Sequence, residues 1–234
     1  MADTATRLID LKERPWCRRR EFQRLLGLYK RDEQSGLYFS LDTDKARVVL
    51  MSRTFLQAPQ AMQDLCLKQE VTFSSWGEFT ADCDSSTFYA DCSGSMGKLI
   101  SPHIEMGGKS LTSELVLPHM THELAHLWWR CLPQSSQNAY RLFLLATCPP
   151  TTIEVTPYVE GAFESWQSSL TVPDSESYVE TMRQKKERRW VEESFCETVA
   201  VVHVREHLSY NHNSTVDVGA RQKAILTIAG LAVG

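Results

Sequence analysis

The chain has 234 residues, 42% of them hydrophobic and 23% charged, enough for one good core and too apolar for a disordered or low-complexity scaffold. Its 25 Lys and Arg against 29 Asp and Glu leave a net charge of −4, the wrong sign for a general binder of nucleic-acid backbone. No run approaches the roughly eighteen apolar residues that a membrane span requires.

Residues 11–29 read as a helix, with Phe22, Leu25, Leu26 and Tyr29 on one face, broken by Ser35-Gly36. Residues 1–45 are thus expected to be a helical extension packed on the rest, and residues 46–51 (ARVVLM) a compact strand. A second helix is expected over residues 57–69, with Met62, Leu65 and Cys66 on one face and Pro59 in its first turn. Residues 71–106 carry a β pattern: strands at 71–73, 77–83, 87–92 and 98–106, separated by turn residues such as Ser93-Gly94-Ser95. After Gly108 the character turns helical, with helices expected over 113–132, 138–147, 156–170, 175–209 and from 219 onward. Strands first and helices after give an α+β fold, expected as one domain over residues 1–234.

The polar start of residues 1–7 lacks the apolar centre of a secretory signal, and seven cysteines are an odd, scattered count. Both point to reduced thiols in the cytoplasm, or to export without a recognisable signal peptide. One echo, Ala81-Asp82-Cys83 and Ala90-Asp91-Cys92, would set Cys83 opposite Cys92 across a hairpin, where a disulfide is conceivable.

His122-Glu123-Leu124-Ala125-His126 is the stretch that carries chemistry. Two histidines four apart project from one helix face and can share a tetrahedral Zn²⁺, while Glu123 can take the proton of a zinc-bound water. Leu115, Leu117, Leu124, Leu127, Trp128 and Leu132 supply an apolar flank and Ser113 a cap; Pro118 leaves open whether the regular helix starts there. The plain alternative is a pair of hydrogen-bonded core or surface histidines.

With this motif the chain resembles the zincin metallopeptidases. The resemblance implies a small mixed sheet followed by a helical half with the zinc site between, and an edge strand that binds the substrate extended. Residues 98–106 stand where that edge strand is expected. It also implies a zinc-dependent endopeptidase acting on a protein or peptide substrate; the charge balance and hydropathy add the expectation of no nucleic-acid partner and no membrane span. The alternative is a catalytically inactive zincin-fold binding or regulatory protein.

A third protein ligand is needed. Glu193 is the preferred candidate: on a helix, Glu193 and Glu197 share a stripe with Trp190, Ala200, Val201, Val204 and Leu208, where carboxylates are costly unless a cation satisfies them. Glu193 would then bind metal and Glu197 accept the outer N–H of His122 or His126. The Glu193-x-x-x-Glu197 spacing resembles the ligand helix of the anthrax lethal factor-like gluzincins and, more loosely, of ImmA/IrrE-type peptidases. Those lethal factor-like enzymes carry a tyrosine seven residues before the ligand, where this chain has Lys186. Glu160 is the alternative ligand: Glu160-Gly161-Ala162-Phe163 resembles the corresponding helix of aminopeptidase-like gluzincins, but Glu160 lies at the edge of its apolar face. His119 and His103 are weaker candidates. His203-Val204-Arg205-Glu206-His207 spells the inverted zinc motif, yet no glutamate follows Glu206 to complete it. Tyr158, Tyr178 and Tyr210 are candidate donors to a tetrahedral oxyanion. The basic run at residues 182–189 and the tryptophans 128, 129, 166 and 190 read as a solvated helix face and as core or groove lining.

Overall fold

A computed structural model of the chain describes residues 29–41, 43–69, 71–76, 84–88, 103–107, 113–173, 177–204 and 209–229. The first helix face expected, from Phe22 to Leu26, and the Cys83–Cys92 pair lie outside those residues. By contact the chain divides into two compact units, one ending at Leu127 and one beginning at Trp128.

The first unit holds a mixed sheet of five strands in the order β1-β2-β3-β5-β4. β1 (Tyr29–Arg31) and β2 (Tyr38–Ser40) pair antiparallel around a turn in which Gly36 takes a positive φ of 74°. Asp32 closes that turn by accepting from the backbone and hydroxyl of Ser35. β2 runs parallel to β3 (Thr72–Trp76), β3 runs parallel to β5 (His103–Gly107), and β4 (Asp84–Phe88) runs antiparallel to β5.

The described residues depart from four expectations read from the sequence. Residues 29–40 are not part of a helical extension. Leu37 and Phe39 alternate into the core, and Phe39 lies 5.6 Å from Phe73 on the parallel neighbour, so a non-local strand contact overrides the local helical pattern. Residues 46–51 are not a strand but the start of α1 (Lys45–Phe55). Asp44 caps this helix by accepting from the backbone N–H of Arg47 at 3.0 Å, and Met51, Ser52, Thr54 and Phe55 recur on its buried face. The β-branched pair Val48-Val49 is outweighed by the cap and the helical period. The expected substrate-binding edge at residues 98–106 is not an edge in its described part, because β5 is hydrogen-bonded on both sides. Among the described strands β4 lies outermost beyond it, and its Asp84-Ser85-Ser86 lies in the strand rather than in the expected turn.

α2 (Gln60–Lys68) follows Pro59 and buries Met62 and Cys66, as its pattern implies. α3 (Ser113–Cys131) continues through Pro118 as one helix. Pro118 sits in its second turn, where the missing N–H forfeits a single bond. From Met120 to Ala125 every residue is buried, so this helix runs through an interior rather than along a surface.

The second unit is helical. α4 (Gln134–Thr147), α5 (Pro157–Leu170), α6 (Ser177–His203) and α7 (Val218–Ile228) follow the end of α3. Thr156 caps α5 by accepting from the N–H of Val159, and Pro157 takes the first helical position. α5 and α6 run antiparallel. Arg183 donates to the carbonyl of Ser169 and Lys186 to that of Ser165, while at the other end Tyr158 meets Glu193. Trp190 fills the seam, stacked on Trp166 at 4.6 Å and tilted on Phe163 at 4.8 Å. The α3 tryptophans 128 and 129 both pack on Phe195 of α6, at 5.5 and 5.1 Å. All four tryptophans expected in a core or groove therefore pack on other aromatic rings.

A buried polar cluster ties the C-terminal segment to this seam. Arg221 of α7 forms an ion pair with Glu154 at 2.7 Å, both nearly fully buried, and also donates to Ser194 Oγ and Cys148 Sγ. Glu154 in turn accepts from the indole N–H of Trp190 at 2.8 Å. Asn211 and Thr215 donate backbone N–H groups to Val155 and Ile153, so the loop before α7 holds the stretch leading into α5. No helix among the described residues is long and apolar enough to cross a membrane.

Candidate metal centre

His122 and His126 lie one turn apart on α3, and the helical pitch alone brings their rings to one side. The Nε2 atoms are 3.1 Å apart, with the rings edge to face at 78°. Two nitrogens each about 2.05 Å from one tetrahedral ion stand about 3.3 Å apart, so this spacing is close to that of a shared cation.

Glu193 of α6 joins them. One ligand atom from each of His122, His126 and Glu193 forms a set in which all lie within 4.8 Å of one another. His122 and Glu193 are each only 8% exposed, and His126 is half-buried. Oε1 of Glu193 accepts a hydrogen bond from the Tyr158 hydroxyl at 3.2 Å. Burial first, and then the Glu193 carboxylate, push the Tyr158 phenol above its ordinary value. The guanidinium carbon of Arg189 lies 5.9 Å from the Tyr158 ring centroid. A carboxylate this deeply placed needs a countercharge, and two imidazoles with one carboxylate can hold a metal ion.

The remaining candidates separate cleanly. Glu123 is buried beside His122 on α3. Glu197 is buried one turn after Glu193, on the same helix. Glu160, the alternative ligand, is not in the set; its Oε2 accepts from Asn211 Nδ2 at 3.1 Å, in the loop before α7. His119 is half-buried on α3 and outside the set, and His103 opens β5. His203 ends α6, while His207 lies outside the described residues. Of the three tyrosines, Tyr158 reaches Glu193; Tyr178 is exposed and Tyr210 lies edge-on to His212.

The pairing of Tyr158 with Glu193 was not readable from spacing, because it requires the antiparallel match of α5 and α6. The position seven residues before Glu193 is filled by Lys186, which bonds the carbonyl of Ser165. A phenol nevertheless reaches Glu193, from α5.

No family model, curated protein or solved structure matches this chain. The likeness to zincins therefore rests on the His122-to-His126 motif and the carboxylate near it. The described architecture is α+β, with a small mixed sheet and mostly helical content.

Proposed function

We propose that the chain is a zinc-dependent peptidase of the gluzincin type. The observation that carries this reading is the convergence of His122, His126 and Glu193, with Glu123 next to the first histidine on the same helix. Two imidazoles and a carboxylate suit Zn²⁺, a borderline-soft ion commonly held by three protein ligands in catalytic sites.

A bound Zn²⁺ would supply Lewis-acid polarisation of a scissile carbonyl and lower the pKa of a coordinated water. His122 and His126 would offer neutral Nε2 atoms, and Glu193 a carboxylate oxygen. Glu123 would hold its carboxylate toward the attacking water, take a proton on a carboxylate oxygen, and return it to the nitrogen of the departing amine. Glu197 would orient a ligand imidazole by accepting its outer N–H. The Tyr158 hydroxyl, already hydrogen-bonding at Glu193, would be a donor for oxygen charge that develops nearby.

The test is metal analysis and peptide-library digestion of protein purified without a histidine tag. About one zinc per chain, removed by chelator, together with library cleavage is the expected result. Bound zinc with no cleavage would favour a binding or regulatory protein, and absence of zinc after reconstitution would overturn the metal site.

A further inference from the structure

The basic run at residues 182–189 has two jobs on the α5–α6 pair. Arg183 donates to the carbonyls of Ser169 and Val172, and Lys186 to that of Ser165, so these cations serve the C-terminal end of α5. Glu187 of the same run is taken by Arg141 at 2.8 Å. Arg189 stands apart, at the opposite end of the seam and one turn before Glu193. It is exposed, its guanidinium lies beside the half-exposed Tyr158 ring, and the described residues place no carboxylate within ion-pair distance of it. Tyr158 foremost, and Glu193 to a smaller extent, favour the charged form of the guanidinium.

We infer that Arg189, steadied by Tyr158, is a carboxylate-binding subsite beside the metal group, and that the peptide taken there carries a negative charge within a residue or two of the bond cut. This substrate class rests on the proposed peptidase activity. A guanidinium fork matches a carboxylate with two parallel hydrogen bonds, and an aromatic neighbour fixes the plane of the fork. The carboxylate can belong to an Asp or Glu side chain or to the free end of the peptide, since the chemistry recognised is the same.

The experiment uses zinc-loaded full-length protein and matched peptides that differ by Glu against Gln at each position near the cleaved bond, and by free carboxyl against amide at the C-terminus. Hydrolysis is followed with the wild type, Arg189→Ala and Arg189→Glu; affinity for the same peptides is measured with Glu123→Gln and with Glu123→Gln/Arg189→Ala. The wild type is expected to favour one carboxylate-bearing member by roughly tenfold or more in kcat/KM. Arg189→Ala should erase that preference and Arg189→Glu should turn it toward a Lys-bearing peptide. The peptide pair that shows the effect identifies side chain or chain end as the source. Equal handling of each pair by the wild type, or a preference that survives in Arg189→Ala, overturns the inference. Should the wild type cleave nothing while the Glu123→Gln protein binds acidic peptides through Arg189, the peptidase reading falls and the subsite stands.

Discussion

Tyr158 donates its hydroxyl to Oε1 of Glu193 across 3.2 Å, linking the first turn of α5 to the middle of α6. The bond helps to hold the Glu193 carboxylate in place, and outer-sphere partners of this kind matter to metal sites nearly as much as the ligands do. Tyr158→Phe removes the hydroxyl and keeps the ring. Zinc affinity is expected to fall about tenfold, read by competition with a chelating dye, while the thermal midpoint stays near that of the wild type. An unchanged affinity would show that Glu193 needs no such restraint.

The two glutamates weighed as third ligand should part company. Glu193→Ala is expected to abolish stoichiometric zinc, whereas Glu160→Ala should leave zinc content unchanged and cost about 1 kcal/mol or less of stability, through the lost hydrogen bond from Asn211. Metal content of the two purified variants, measured side by side, checks this. Zinc lost in Glu160→Ala and kept in Glu193→Ala would reverse the assignment.

Arg221 and Glu154 make a sharper test of the fold. Arg221→Ala would leave the carboxylate of Glu154 buried without its cation and is expected to cost about 3–5 kcal/mol. Replacing both partners by apolar residues of similar volume, Arg221→Met with Glu154→Leu, should recover much of that loss, less the hydrogen bond that Glu154 accepts from Trp190. Denaturant unfolding of the single and double variants measures both quantities. A double variant no more stable than Arg221→Ala would show that the cluster's other bonds, to Ser194 and Cys148, dominate.

Thr156 caps the helix that presents Tyr158. Thr156→Ala should cost about 1 kcal/mol, and fraying of that first turn should carry over into weaker zinc binding through Tyr158. Hydrogen exchange at Val159 and Glu160, compared with and without metal, would follow it.

The candidate metal group was legible in the sequence where geometry is local. Four residues of helical pitch set the spacing of His122 and His126, and the cost of two carboxylates in an apolar stripe singled out Glu193 and Glu197. Long-range pairing was not legible. The three-residue strands β1 and β2 have few local signals, and their stability comes from partners such as Phe73 far along the chain. Residues 46–51 were misread because Val48-Val49 favours a strand in isolation, whereas Asp44 and the buried positions of the next turns decide for a helix. The interior position of β5 depends on β4, whose polar Asp84-Ser85-Ser86 reads locally as a turn. Tyr158 could be named as a candidate, but choosing it over Tyr178 and Tyr210 required the register of α5 against α6.

The central claim is that Glu123 moves the proton at a zinc held by His122, His126 and Glu193. The most direct measurement is turnover per bound zinc in the wild type and in Glu123→Gln, each purified untagged and assayed on the same cleavable peptide. The account predicts about one zinc per chain in both proteins, with hydrolysis in the variant reduced by roughly a hundredfold to ten-thousandfold. Undiminished hydrolysis by the zinc-loaded variant, or a wild type that takes up no zinc, would contradict it.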